Sequence, residues 1–319
     1  MAINPRKAAV VGLGNVGASI AFALMAKSLY SSLVLIDANK DKAEGEALDL
    51  AHGLPYASPM KIYAGDYKDA EDASIIIITA GAAQKMGETR LDLIAKNARI
   101  LSSIISEIKK TAFEGIILMV ANPVDVLTHL AVKLSGYPEH RVFGSGTVLD
   151  TARLKYAIGD RIGVDIRSVH TMIIGEHGDS EVPLWGLTNI SGVPLSDFCK
   201  AKKIKGSESE MDKIYVEVRD SAYEIIKKKG ATYYGIAYAV ARICEAIVKD
   251  EKAILPVSNH LPGEYGIKDI AFAVPSIVDR HGVSTPLEVP LAGKEQLALL
   301  QSAEAMKKSI ETGLKALEG

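Results

Sequence analysis

The chain has little of what would take it out of the ordinary globular classes. Only two cysteines occur in 319 residues, Cys199 and Cys244, with no C-x-x-C spacing. That excludes a disulfide scaffold and leaves reduced, structural thiols, and no metal site is expected. Neither sign of charge is in excess: 39 acidic against 37 basic residues give a formal net charge of -2, without a long basic run. Nucleic acid and anionic membranes are therefore not expected partners. Repeats, low-complexity tracts and long linkers are absent. Arg6 and Lys7 ahead of an apolar stretch imitate an export signal, but no convincing cleavage site follows before Ser31. With 48% hydrophobic and 24% charged residues, the length suits two domains with ample cores in a soluble, cytoplasmic protein.

What is present begins with residues 7–37. Residues 8–12 (AAVVG) have the length and β-branching of a buried parallel strand and run into Gly12, Gly14 and Gly17 of a G-x-G-x-x-G turn. Ala18, Ile20, Ala21, Leu24 and Met25 then recur at helical spacing, and an apolar strand over residues 33–36 closes on Asp37, twenty positions after Gly17. In such a βαβ unit the first glycine allows the tight turn, the second lets backbone N–H groups approach a pyrophosphate, and the third brings the helix close to the strand. A carboxylate at Asp37 accepts hydrogen bonds from the adenine ribose hydroxyls and repels a 2′-phosphate, which favours NAD over NADP. Because the chain holds 27 glycines, their spacing alone says little. The strand before, the helix after and the acid at the end of the next strand carry the reading.

Strands and helices continue to alternate. Helices are expected over residues 40–52, 91–110 and 124–134, and strands over 61–64, 74–79, 115–120 and 142–144. The expected fold class is α/β: a Rossmann-type, doubly wound parallel sheet over residues 1–145, completed by the strand at 142–144. An α+β substrate and catalytic domain is expected over 146–319. There helices are expected at 149–162, 207–229, 231–248 and 294–317, and strands at 253–257, 270–278 and 282–288. The polar, glycine-flanked loop 80–90 (AGAAQKMGETR) follows the carboxyl end of a strand, where open α/β sheets place their ligands, and is expected to act as a lid.

Of the seven histidines, His52, His129, His140, His260 and His281 have nothing chemical beside them in sequence and are expected to be surface or structural groups. His177 differs, since Gly175 and Gly178 flank it within GEHGD and remove side-chain bulk around the imidazole.

Five motifs in order, GLGNVG, AGAAQKMGETRLDL, VANPVD, GSGTVLDTAR and IIGEHGDSEVP, resemble the L-lactate and malate dehydrogenase family across essentially the whole chain, most closely its bacterial lactate branch. The resemblance implies that His177 donates and accepts the proton and that Asp150 pairs with its other ring nitrogen. That carboxylate fixes the tautomer and stabilises imidazolium. It implies that Arg153 binds the substrate carboxylate, where a planar guanidinium gives a bidentate contact, and that Arg90 polarises the substrate carbonyl when the lid closes. By the same resemblance Asn122 touches substrate and nicotinamide, Thr232 supplies a pocket hydroxyl and Ile236 an apolar surface beside the nicotinamide. Val16, Lys42, Tyr67, Gly81, Ala82, Ser103, Val120 and Ser145 then join the glycines and Asp37 in the NAD site. Gly81 and Gly87 are plausible flexible points of the lid, and Met86 stands where many relatives carry proline. A homotetramer is implied, without the N-terminal arm of the vertebrate enzymes.

The allosteric members bind fructose 1,6-bisphosphate through an arginine and a histidine, at the positions of Lys155 and His170 here. Lysine keeps the charge and loses the fork, so a weakened bisphosphate site and a plain surface pair both stay open. A non-catalytic dinucleotide-binding protein is the alternative from another class, but it would have no reason to keep His177, Asp150, Arg153 and Arg90 together. A malate dehydrogenase, or an enzyme of broader 2-hydroxy acid range, is the alternative within the family.

Gln84 bears on that last choice. Malate dehydrogenases resemble this loop but carry arginine there, because oxaloacetate brings a second carboxylate, and an uncompensated carboxylate in a dry pocket costs several kcal/mol. Glutamine argues for pyruvate. Gln84→Arg is expected to shift the preference toward oxaloacetate in an NADH absorbance assay, and comparable turnover of both substrates by the unmodified protein would count against the pocket argument.

Overall fold

A computed structural model describes residues 2–82, 89–204 and 208–318. The chain runs β1 (Asn4–Val11), α1 (Asn15–Ala26), β2 (Ser32–Ile36), α2 (Lys40–Gly53), β3 (Lys61–Ala64), β4 (Ala73–Ile78), α3 (Arg90–Lys109), β5 (Ile116–Met119), α4 (Val124–Ser135), β6 (Val142–Gly144) and α5 (Val148–Ile162). Strands β3 and β6 have the expected bounds, whereas β1 begins earlier, at Asn4. All five pairings among β1 to β6 are parallel. Their continuous apolar sequences have a simple cause. Ala9, Val11, Ile76 and Ile78 face the helices on one side of the sheet, and Ala8, Val10, Ile75 and Ile77 face those on the other. Helices α3 and α4 cover the first face with Ile94, Leu101, Leu127 and Leu130; α1 and α2 cover the second with Ile20, Leu24, Ala43 and Ala47.

Beyond α5 come five two-residue strands, β7 (Val169–His170), β8 (Ile173–Ile174), β9 (Val182–Pro183), β10 (Asn189–Ile190) and β11 (Val193–Pro194), then α6 (Leu195–Lys202), α7 (Glu208–Lys229) and α8 (Tyr234–Val248). Helix α8 starts three residues later than its periodicity suggests. Gly230 turns out of α7 with φ +84°, and residues 231–233 bridge the two helices. The chain ends with β12 (Ala253–His260), β13 (Ala271–Asp279), β14 (Gly282–Pro286) and α9 (Gly293–Glu318).

The sheet does not end at β6, contrary to expectation. Its order is β14-β13-β12-β6-β5-β4-β1-β2-β3, with the last three strands of the chain added antiparallel to the β6 edge. An uncovered β6 would present unpaired backbone groups, and β12 satisfies them. The seam is tight at Gly146, whose φ is +49° and where a Cβ would lie 2.6 Å from Ser258 N and 2.7 Å from Pro256 O. Thr147 N then donates to Pro256 O at 3.1 Å. The two halves of the chain therefore share one sheet, and α5 leaves it at the carboxyl end of β6.

At the glycine turn sterics separate the three residues. Gly12 has φ +92°, and a Cβ there would meet the Ala80 backbone at 2.5 Å; one on Gly17 would lie 1.9 Å from Gly12 O. A Cβ on Gly14 would meet nothing within 4 Å. Gly12 and Gly17 are thus demanded by the fold, and Gly14 only by whatever occupies the space in front of it. Gly17→Ala is expected to cost about 3 kcal/mol through overpacking against that carbonyl, read as a lower urea midpoint, and an unchanged midpoint would refute the contact.

Candidate active site

Loops at the carboxyl ends of the parallel strands build two cavities. The first, of about 620 Å³, is lined by Gly12, Gly14, Asp37, Tyr67, Gly81, Ala82 and Ser103 among others. Helix α1 points its N-terminus from Gly14 with no side-chain cap and no acid in its first turn, so the partial positive charge of its free N–H groups is not neutralised from within. Asp37 accepts from Leu13 N at 2.7 Å and from Asn39 N at 2.9 Å, which ties the end of β2 to the glycine turn. An uncapped helix end, a glycine with open space before it and a carboxylate beyond suit a dinucleotide's phosphates and ribose. Of the other residues expected here, Val16, Gly17, Lys42, Val120 and Ser145 are not on this cavity's wall; Lys42 is exposed, and Val120 and Ser145 are buried at the ends of β5 and β6.

The second cavity, of about 380 Å³, is lined by Leu93, Asn122, Asp150, Arg153, His177, Glu181, Arg219 and Tyr223 among others. Asp150 and Arg153 lie three apart on α5 and so share a face. Asp150, 2% exposed, accepts from Arg153 Nη1 at 2.9 Å through Oδ1 and lies 2.6 Å from His177 Nδ1 through Oδ2. One buried carboxylate thus holds an imidazole and a guanidinium at the cavity.

His177 comes from the loop between β8 and β9, and that loop is fastened from both sides. Gly175, at φ +99°, donates to Ala273 O at 2.8 Å, and Ala273 N donates back at 3.2 Å. Glu176 N donates to Ser302 Oγ at 3.2 Å and His177 N to Asp125 Oδ2 at 2.8 Å. Gly178 has φ +157°. The glycines beside His177 therefore serve backbone conformations as well as access.

Burial works against a charged imidazole at His177, but the charge of Asp150, its hydrogen bond, and the nearby Asp125 and Glu181 carboxyls raise the pKa to about 9. Burial likewise works against the Asp150 anion, and His177 and Arg153 outweigh it, holding its pKa below the ordinary value. At neutral pH the pair is imidazolium and carboxylate.

Asn122 reaches the cavity from the turn after β5, where its peptide bond to Pro123 is cis. Thr232 precedes α8 and Ile236 lies in its first turn; both are partly exposed and neither lines the cavity. Arg90 is described as the residue that opens α3, and Gln84, Met86 and Gly87 lie outside the described residues. Lys155 is half-buried on α5, which lowers its pKa, and His170 is exposed on β7. No group of three or more His, Cys, Asp or Glu side chains able to hold a metal ion occurs among the described residues.

Sequence reasoning missed four residues. Asp125, 1% exposed, anchors the His177 backbone; it was visible as the last residue of VANPVD but had no assigned task. Asn97 on α3 accepts from Ala82 N at 2.8 Å and donates to Asn122 O at 2.7 Å, joining the loops after β4 and β5. Glu181 stood within IIGEHGDSEVP but had no assigned task, and Arg219 lines the cavity without any local signal. His129 and His260, expected to be isolated, lie 5.9 Å apart between ring centroids, with His260 Nδ1 3.1 Å from Glu139 Oε2.

Because the folded-state pKa of His177 lies above the ordinary 6.5, its protonation stabilises the fold fully below pH 6.5, and this contribution is lost as pH rises through about 9. Asp150→Asn removes the main cause. The unmodified protein is expected to lose on the order of 3 kcal/mol more than the variant across that window in urea titrations. Parallel pH profiles would refute the pairing.

Comparisons with known proteins show which family the chain belongs to. Residues 6–144 match the lactate/malate dehydrogenase NAD binding domain and residues 147–317 the lactate/malate dehydrogenase alpha/beta C-terminal domain. L-lactate dehydrogenase 1 of Clostridium acetobutylicum is 52% identical over 306 residues, 96% of this chain and 98% of that one. The L-lactate dehydrogenase of Priestia megaterium is 50% identical over 304 residues, 95% of each. The crystal structure of the minor L-lactate dehydrogenase from Enterococcus mundtii, in its ligands-bound form, superposes with a TM-score of 0.93 at 44% identity over 96% of this chain and 98% of that one. With both of its halves matched in order around a shared sheet, the chain belongs to the lactate/malate dehydrogenase family and carries that family's NAD-binding domain.

Proposed function

We infer that the chain is an L-lactate dehydrogenase that interconverts pyruvate and (S)-lactate with NAD. What carries the reading is the hydrogen-bonded array of His177, Asp150 and Arg153 on the wall of a small cavity, beside Asn122 at the carboxyl end of β5. When bound, the nicotinamide supplies the hydride for reduction or accepts it in the reverse direction.

The chain's own residues do the rest. Arg153 takes the substrate carboxylate, while its Nη1 stays on Asp150, so the anion is held at a fixed distance from His177. His177 Nε2 gives its proton to the carbonyl oxygen as negative charge builds there and takes it back from the hydroxyl in oxidation. Asp150 fixes the ring through Nδ1 and stabilises its charged form. Arg90 and Gln84, by resemblance, complete the closed site, the first polarising the carbonyl and the second accommodating a methyl group where a dicarboxylate would need a cation.

The cofactor residues named above, a functional division at residues 145 and 146, a homotetramer and a cytoplasmic location belong to the same reading. No helix among the described residues is long and apolar enough to cross a membrane. Activation by fructose 1,6-bisphosphate is assigned to Lys155 and His170.

The test is NADH oxidation followed by absorbance with pyruvate, oxaloacetate and larger 2-oxo acids, each with and without fructose 1,6-bisphosphate. Fast turnover of pyruvate and poor turnover of oxaloacetate are expected, together with a loss of about a thousandfold in kcat for His177→Gln. A preference for oxaloacetate would reject the lactate reading, and an unchanged rate and oligomer size at low pyruvate would reject bisphosphate control.

A further inference from the structure

One carboxyl group on the substrate cavity has no part in the reaction described above. Glu181 lies just ahead of β9, is 5% exposed, and lines the cavity with Asp150, Arg153, His177 and Arg219. Its Oε1 is buried and has no hydrogen-bond partner among the described residues. Among the described residues, the neighbouring groups that could balance a negative charge there are engaged elsewhere. Arg153 donates to Asp150 at 2.9 Å, and Arg219 donates to Asp220 at 2.9 Å. His177 is 2.6 Å from Asp150, and the Tyr215 hydroxyl donates to the Glu181 backbone carbonyl, at 2.7 Å, not to its side chain. Asp179, on the same loop, is exposed and screened by solvent.

The charge balance around the cavity follows from these contacts. Among the described side chains that line the cavity, with Glu181 neutral and Arg219 balanced by Asp220, His177 and Arg153 against Asp150 leave a surplus of one positive charge, which matches one substrate carboxylate. With Glu181 ionised that surplus is cancelled, and a carboxylate that arrives before Arg90 closes in finds no net counter-charge in a partly buried site.

We propose that Glu181 is a positioning residue held as the neutral acid when the anionic substrate enters, and that its ionisation closes the site to 2-oxo acids on the alkaline side. This rests on the substrate reading above. Burial first, and then the Asp150 charge, raise the Glu181 pKa to about 8, below the value of about 9 for His177.

The sign follows from linkage: the neutral acid favours anion binding, so KM for pyruvate rises with pH through about 8. With saturating NADH, KM for pyruvate is expected to rise about twentyfold between about pH 7 and about pH 9 in the unmodified enzyme and about twofold in Glu181→Gln, which keeps the neutral shape. A merely structural role would raise KM by the same factor at every pH. An independent reading uses the unmodified protein with carbon-13-labelled glutamate, whose protonated carboxyl C=O band in the infrared should disappear over the same range. Equal KM profiles for the two proteins, or absence of that band at neutral pH, would overturn the proposal. Failure to reduce pyruvate at any pH would reject the functional reading instead, and the infrared band would still decide the protonation state of Glu181.

Discussion

The bridge from Asp150 to both His177 and Arg153 is the contact on which the site depends. A carboxylate only 2% exposed is costly, with a penalty of several kcal/mol per ion, unless it is paired and hydrogen-bonded. Here it is paired twice, at 2.9 Å and 2.6 Å, so both cations are held in place by a single charge. His177 and Arg153 therefore cannot move independently. Removing Asp150 would release two cations from their anchor and lower the imidazole pKa, whereas removing Arg153 would leave the histidine pair intact.

The fold supplies the rigidity. Parallel strands buried on both faces bring their carboxyl ends to one rim, and the site's loops start there. The antiparallel addition of β12 and β13 extends that platform into the second half of the chain. Ala273 of β13 pairs with Gly175, two residues before His177, and Ser302 of α9 holds Glu176. Sheet and closing helix thus fix the loop from one side, and Asp125 of α4 fixes it from the other. Asn97 does the same between the two cavities, where a single side-chain amide joins the turns after β4 and β5.

Much of this was legible in the sequence where the cause is local. The glycine turn is dictated by contacts within one βαβ unit, so spacing and context sufficed, and Asp150 with Arg153 share a helix face by their separation alone. His177 stood out through its flanking glycines, although their conformational reason, anchoring to β13, lies nearly a hundred residues away. The attachment of β12 to β6 was not legible, because an apolar run does not specify its partner edge. Five strands of two residues each are too short to show any periodicity. Asp125, Asn97 and Glu181 were missed for one reason: their roles come from burial and distant partners, so even the motifs that hold Asp125 and Glu181 assigned them no task. The pairing of His129 with His260 is likewise a tertiary fact.

The chemistry then follows from protonation states. An imidazolium that persists to high pH can deliver a proton to a forming alkoxide, and a guanidinium anchored on the same carboxylate can hold the substrate anion beside it. The most direct test is nitrogen-15 NMR of the His177 ring across a pH titration. The account predicts an imidazolium with a hydrogen-bonded Nδ1–H that deprotonates only near pH 9. Titration near the ordinary histidine value of about 6.5 would contradict it.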